Sequence, residues 1–203
     1  MALPEHLPKS ISKEEMASLP IRRWEGEVRL VEDARELERA AEEIHDEAVI
    51  GFDTETRPAF RPGESYPPAL AQVATAHRVY LFPLLRLDCS AVLARVLAEP
   101  RITVSGVALA DDLRLLKNQF PFEPQSVTDL GLVAKRHGLK QTGLRNLAGI
   151  FLGARITKGA KTTNWSAPRL TEQQIVYAAT DAWICRELYL RFEAFGLVQA
   201  SRP

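Results

Sequence analysis

The chain has 203 residues, 46% of them hydrophobic, enough to bury one full core in a single α/β domain. Lys plus Arg and Asp plus Glu both total 26, and the resulting zero net charge argues against a protein that coats nucleic acid by bulk electrostatics, while allowing an enzyme that grips a few phosphates. Two cysteines, Cys89 and Cys185, are too few for a disulfide framework. No apolar run approaches the ~20 residues of a membrane span and the N-terminus lacks a signal-peptide core, so the expected location is the cytoplasm.

Residues 1–25 carry prolines and charges with little periodicity and predict an extended N-terminal arm, with residues 26–203 forming the domain. Trp24 is placed to pin the end of the arm. Glu27 to Val31 alternates weakly, as a first strand would. Asp33 with Glu36 three later has the capping-box pattern, and Leu37, Ala40, Ala41 and Ile44 supply the apolar stripe of the helix that follows. Ala48 to Asp53 predicts a buried central strand, and Pro62 to Pro68 a turn-rich loop. Ala69 to Ala76 and Val79 to Phe82 predict a hairpin.

Ser90 to Leu97 is expected to be helical, Ile102 to Val107 a further buried strand, and Asp111 to Asn118 a helix. Val127 to His137, Gly143 to Leu152 and Thr171 to Phe195 follow as helices. Thr171 and Gln174 stand in capping-box register at the start of the last one, and Gly196 suits its C-terminal cap. Strands come first and helices dominate later, which implies an α/β fold with a mixed central sheet flanked by helices.

Two pairs of residues carry chemistry. Asp53 and Glu55, two apart on a strand, project from one face. Tyr177 and Asp181, four apart on a helix, share one side of it. Clustered carboxylates repel one another and are tolerated where a hard divalent cation neutralises them.

Together these segments resemble the DEDD superfamily of 3′–5′ exonucleases, in the ribonuclease-H-like fold. Asp53-Thr54-Glu55 matches the first motif, and Tyr177-x-x-x-Asp181 the tyrosine form of the third. The lead-in Asn164-Trp165-Ser166…Leu170-Thr171 is similar to the ribonuclease D and Werner-exonuclease branch. Asp111 and Asp112 compete for the second motif. The family pattern has Gly six residues before its central aspartate, Leu four after and an aromatic eight after. Gly106, Leu116 and Phe120 fit a count from Asp112, and a count from Asp111 fails, which leaves Asp111 as a helix-start residue.

The resemblance implies that Asp53, Glu55, Asp112 and Asp181 hold two divalent cations, Mg²⁺ or Mn²⁺, with Tyr177 orienting the nucleophilic water. It implies a catalytic set of Asp53, Glu55, Asp112, Tyr177 and Asp181, acting on the 3′ end of DNA or RNA and releasing nucleoside 5′-monophosphates. Thr54, Arg57, Asn164, Trp165, Lys158 and Lys161 are the expected substrate contacts. Trp165 is weighed equally as a loop anchor, and Asp129 is read as a helix cap. A non-catalytic nucleic-acid-binding module on the same fold, or a hydrolase of very short oligonucleotides, are the alternatives.

Overall fold

The computed structural model describes residues 3, 7–61, 63–157, 159 and 163–199. Its centre is a six-stranded sheet of β1 (Glu27–Leu30), β2 (Val49–Thr56), β3 (Pro68–Ala74), β4 (Arg78–Pro83), β5 (Thr103–Gly106) and β6 (Val127–Asp129), in the order β1-β4-β3-β2-β5-β6. β3 runs antiparallel to β2 and β4, and the remaining pairs are parallel. The expected mixed sheet with flanking helices is what forms.

The helices are α1 (Lys13–Ser18), α2 (Ala34–His45), α3 (Ser90–Leu97), α4 (Leu109–Lys117), α5 (Leu130–Arg136), α6 (Leu144–Leu152) and α7 (Glu172–Ala194). Alternation along β2 sorts the two faces. Ile50 and Phe52 join a core with α2, α3 and α4 through Ala40, Ile44, Leu93, Leu97, Leu109 and Leu116. On the other face α7 lies across the sheet, its Ala178 and Ala182 packed with Leu70 and Leu81, while Leu188 and Phe192 pack with α5 and α6.

Gly51 sets the depth of that second layer. A Cβ there would lie 1.9 Å from the carbonyl oxygen of Ala182, so only glycine lets β2 and α7 approach this closely. The contact falls two residues before Asp53 and one residue after Asp181, and so places the two pairs read from the sequence side by side.

The caps explain which predicted boundaries hold. Thr171 and Gln174 close a full capping box on α7, and Gly196 follows its end at φ 65°. At α2 the Asp33 carboxylate accepts from the Glu36 N–H, but Glu36 reaches past it to the Glu32 N–H at 2.8 Å, so only half the predicted box forms.

Two segments depart from expectation. Val127–Asp129 is an edge strand rather than the first turn of a helix, paired with β5 from Val104 to Gly106. The arm holds a helix, α1, closed by a Ser12–Glu15 capping box, and its Leu3, Leu7 and Ile11 pack against the α5–α6–α7 core. Trp24 does pin the arm's end: its N–H donates to Thr180 Oγ1 at 3.0 Å and its ring meets Trp183 at 5.7 Å.

Candidate active site

The carboxylate oxygens of Asp53, Glu55 and Asp181 come within 4.8 Å of one another at the end of β2. Strand alternation delivers the first two from the face that meets α7, and Asp181 arrives from the middle of α7, 7% exposed. Burial, then the charges of Asp181, Glu55 and Asp112, hold the Asp53 carboxyl well above the usual carboxylate range. Like charges this close are stable together only with protons or cations among them, and an all-oxygen donor set suits a hard divalent ion. The residues present therefore fit the metal ions that the sequence implies.

Asp112 enters through a different contact. Thr54 points to the opposite face of β2, and its hydroxyl donates a short hydrogen bond to Asp112 Oδ1 on α4. Burial raises the Asp112 carboxyl above its ordinary value, with the Thr54 bond opposing. Asp111 points away, its side chain 83% exposed and paired with Arg114 at 3.1 Å. Between the two neighbouring aspartates, the geometry turns Asp112 inward.

The start of α4 is held from the edge strand. Asp129 Oδ2 accepts from the Leu109 N–H at 3.1 Å while Oδ1 accepts from Leu132 N–H at 3.0 Å, so one carboxylate caps α4 and α5 together. Ala108, just before α4, sits at φ 61°, a left-handed conformation that costs a non-glycine residue about 1–2 kcal/mol. Gly106 lies close by, where a Cβ would meet the Phe52 carbonyl oxygen at 2.6 Å.

Tyr177 stands one turn before Asp181. Burial, reinforced by Asp181 and Glu55, pushes its phenol far above its usual pKa, and it shares a hydrogen bond with Asp181. It therefore stays protonated at neutral pH, a hydrogen-bonding group rather than a base. Trp165 packs its ring 6.0 Å from that of Tyr177 and is only 2% exposed.

That burial corrects one expected substrate contact: Trp165 presents no open face to a base and acts as the loop anchor. The Thr54 hydroxyl is committed to Asp112 and the residue is 9% exposed, which leaves its backbone, between Asp53 and Glu55, as the part that could meet a terminal nucleotide. Asn164 accepts from the Ser166 N–H at 3.1 Å, and Arg57 lies over the Tyr66 ring at 4.9 Å. Neither borders the cleft among its described lining residues. Lys158 and Lys161 lie outside the described residues.

The cleft itself measures about 1120 Å³ and is bordered by Asp53, Glu55, Tyr177 and Asp181, with Ser12, Lys13, Met16 and Ile21 of the arm along one side. Sequence reading missed the arm's part in it. The Ser12–Glu15 pattern was the available signal, hidden by the surrounding prolines. Gln72 was also missed: it is Asp53's cross-strand partner, fully buried, and its amide makes no hydrogen bond among the described residues.

Comparison with known proteins settles the family. Residues 28–194 match the family model described as 3′–5′ exonuclease, which covers most of the chain. The chain belongs to the 3′–5′ exonuclease family. Its place is in the ribonuclease D-like branch. It is 30% identical over 165 residues to ribonuclease D of Haemophilus influenzae, covering 79% of this chain and 40% of that protein. It is 28% identical over 186 residues to the Homo sapiens exonuclease mut-7 homolog, covering 78% of this chain and 21% of the relative. The chain thus spans less than half the length of either relative.

Among solved structures, Escherichia coli ribonuclease D superposes with a TM-score of 0.73 at 26% identity, covering 86% of this chain and 48% of that one. The exonuclease domain of Aedes aegypti Nibbler shares the fold with a TM-score of 0.77 at 22% identity, covering 86% of this chain and 92% of that one. Among the described residues, no helix of this family member is long and apolar enough to cross a membrane.

Proposed function

We propose that the chain hydrolyses the terminal phosphodiester at the 3′ end of a nucleic acid strand, with residues 26–203 as the catalytic unit and 1–25 as an N-terminal arm whose described residues from Leu7 on pack against it. The observation that carries this reading is the convergence of three carboxylates within 4.8 Å beside Tyr177, in a cleft roomier than the roughly 300–1,000 Å³ of small-molecule sites.

Asp53, Glu55 and Asp181, with Asp112 held by Thr54, are the residues that would hold two divalent cations, Mg²⁺ or Mn²⁺. When bound, such ions supply Lewis-acid stabilisation of phosphoryl charge and make water nucleophilic at neutral pH. Asp53, whose carboxyl feels the charges of Asp181, Glu55 and Asp112, would be central to holding them. Thr54 fixes the orientation of Asp112 and so the spacing of the cluster.

Tyr177 keeps its proton and orients the attacking water by hydrogen bonding, while the neutral phenol adds no charge to an already anionic site. A bond forms from the water oxygen to phosphorus, and the bond from phosphorus to the upstream 3′ oxygen breaks. That oxygen leaves with a proton as the new 3′ end, and the terminal nucleotide departs as a nucleoside 5′-monophosphate.

Digestion of matched 5′-labelled DNA and RNA strands with Mg²⁺ or Mn²⁺ tests the reading. The expected result is a ladder shortening from the 3′ end, with the sugar preference read from the faster strand. Uncut strands of both kinds, under conditions where the cation binds, would refute the proposal.

A further inference from the structure

The family-model match begins at residue 28, and the arm that borders the cleft precedes it. The arm is nonetheless built into the site. The Ile11 N–H donates to Gln141 Oε1 at 2.8 Å, the Arg155 N–H to the Pro20 carbonyl at 2.9 Å, and the Arg22 N–H to the Arg155 carbonyl at 3.0 Å. Helix α1 seats Met16 directly over Gly149 of α6, where an added Cβ would fall 2.6 Å from the Met16 methyl.

This arrangement puts Lys13 of α1, Arg145 in the first turn of α6, and Arg155 along one cleft whose far chemistry is carboxylate. None of the three makes an ion pair among the described residues, and Arg155 Nε is buried with no acceptor. Beside them Ile21 is 55% exposed and joins Ile11 and Met16 in the apolar part of the cleft lining. Unpaired cations and an open apolar side chain, leading to a cation-binding carboxylate cluster, complement a chain of phosphates and bases.

We infer that the arm is a strand clamp: Lys13, Arg145 and Arg155 hold the phosphates of a single nucleic acid strand upstream of the bond to be cut, with Ile21 against a base. The inference rests on the exonuclease reading and adds that the preferred substrate is a strand of several nucleotides, not a dinucleotide. The carboxylate cluster would handle the scissile phosphate, and the arm the phosphates upstream of it.

The test is fluorescence anisotropy of a 5′-labelled single strand of about 12 nucleotides, within the roughly 4–16 that single-strand sites span, over a series of salt concentrations. Lys13→Ala and Arg145→Ala are compared with the wild type, with Lys13→Arg and Arg145→Lys as rescue variants. Each alanine change is expected to weaken binding several-fold and to flatten the slope of log affinity against log salt by about 0.7, the value for one single-strand phosphate contact. The rescue variants should restore the slope, and dinucleotide cleavage should be unchanged in all four.

Unchanged slopes in both alanine variants, or no strand binding by the wild type, would overturn the clamp. Equal losses on strand and dinucleotide would overturn it too, since they place the residues at the scissile phosphate. Slopes that fall as expected, in a protein that cuts nothing, would support the clamp while refuting the exonuclease reading.

Discussion

At the scale of single residues, the carboxylate cluster sets the expected behaviour. Loss of Asp53 to alanine should cost more activity than the roughly 10–100-fold that changes around a metal ligand typically cause. Tyr177→Phe should cost less than Asp53→Ala, because an orienting hydrogen bond is lost while the charge balance is kept; steady-state cleavage rates of the two variants check the order. Asp53 also predicts a pH effect on stability. Its carboxyl is raised in the folded protein, so the native state binds more protons than the unfolded chain above about pH 4, and stability falls as pH rises through that raised value. In EDTA, the melting temperature of Asp53→Asn should gain on wild type as pH rises across that window. Mg²⁺ or Mn²⁺ should remove the wild-type deficit, since the ions bind the deprotonated cluster. The spacing that placed Asp53 with Glu55 and Tyr177 with Asp181 was readable from strand and helix periodicity. The Thr54–Asp112 bond was not, because it joins residues 58 apart in the chain, on the face of β2 opposite Asp53.

At the scale of elements, the close seating of β2 on α7 controls whether the two acidic pairs meet. Gly51→Ala forces a methyl into the Ala182 carbonyl, an overpacking cost of about 1–3 kcal/mol or more. For a domain of this size that predicts a drop in melting temperature of about 2–4 °C per kcal/mol, measurable by calorimetry, with loss of cation affinity alongside. Asp129→Ala removes the caps of α4 and α5 together and should destabilise by about 1–3 kcal/mol in denaturant unfolding, more than a single cap. Most elements were legible: the hairpin of β3 and β4, helix α3 and the boxed start of α7 follow directly from alternation and capping residues. β6 was not, because three residues are too few to show a period of two and Asp129 gave a strong helix-start signal that is true one residue later. α1 was obscured for a related reason: a six-residue helix buries no residue fully and leaves little apolar stripe to read.

At the scale of the whole molecule, the sheet carries Asp53 and Glu55, the helix across one face carries Tyr177 and Asp181, and the helix on the other face presents Asp112. The neutral overall charge leaves room for a few cations, Lys13, Arg145 and Arg155, to line one cleft while others stand in surface ion pairs. What composition could not reveal is that the arm folds back into that cleft, since the contacts joining Ile11 to Gln141 and Pro20 to Arg155 span more than a hundred residues. On the proposed function, the carboxylate cluster directs water to the phosphorus of the 3′-terminal phosphodiester. Single-turnover cleavage in heavy-oxygen water, followed by mass spectrometry of the released nucleotide, tests it most directly. The expected product is a nucleoside 5′-monophosphate carrying one solvent-derived oxygen on its phosphate, absent when EDTA is added. Release of a 3′-phosphate, a phosphate without solvent oxygen, or product formation that persists in EDTA would contradict it.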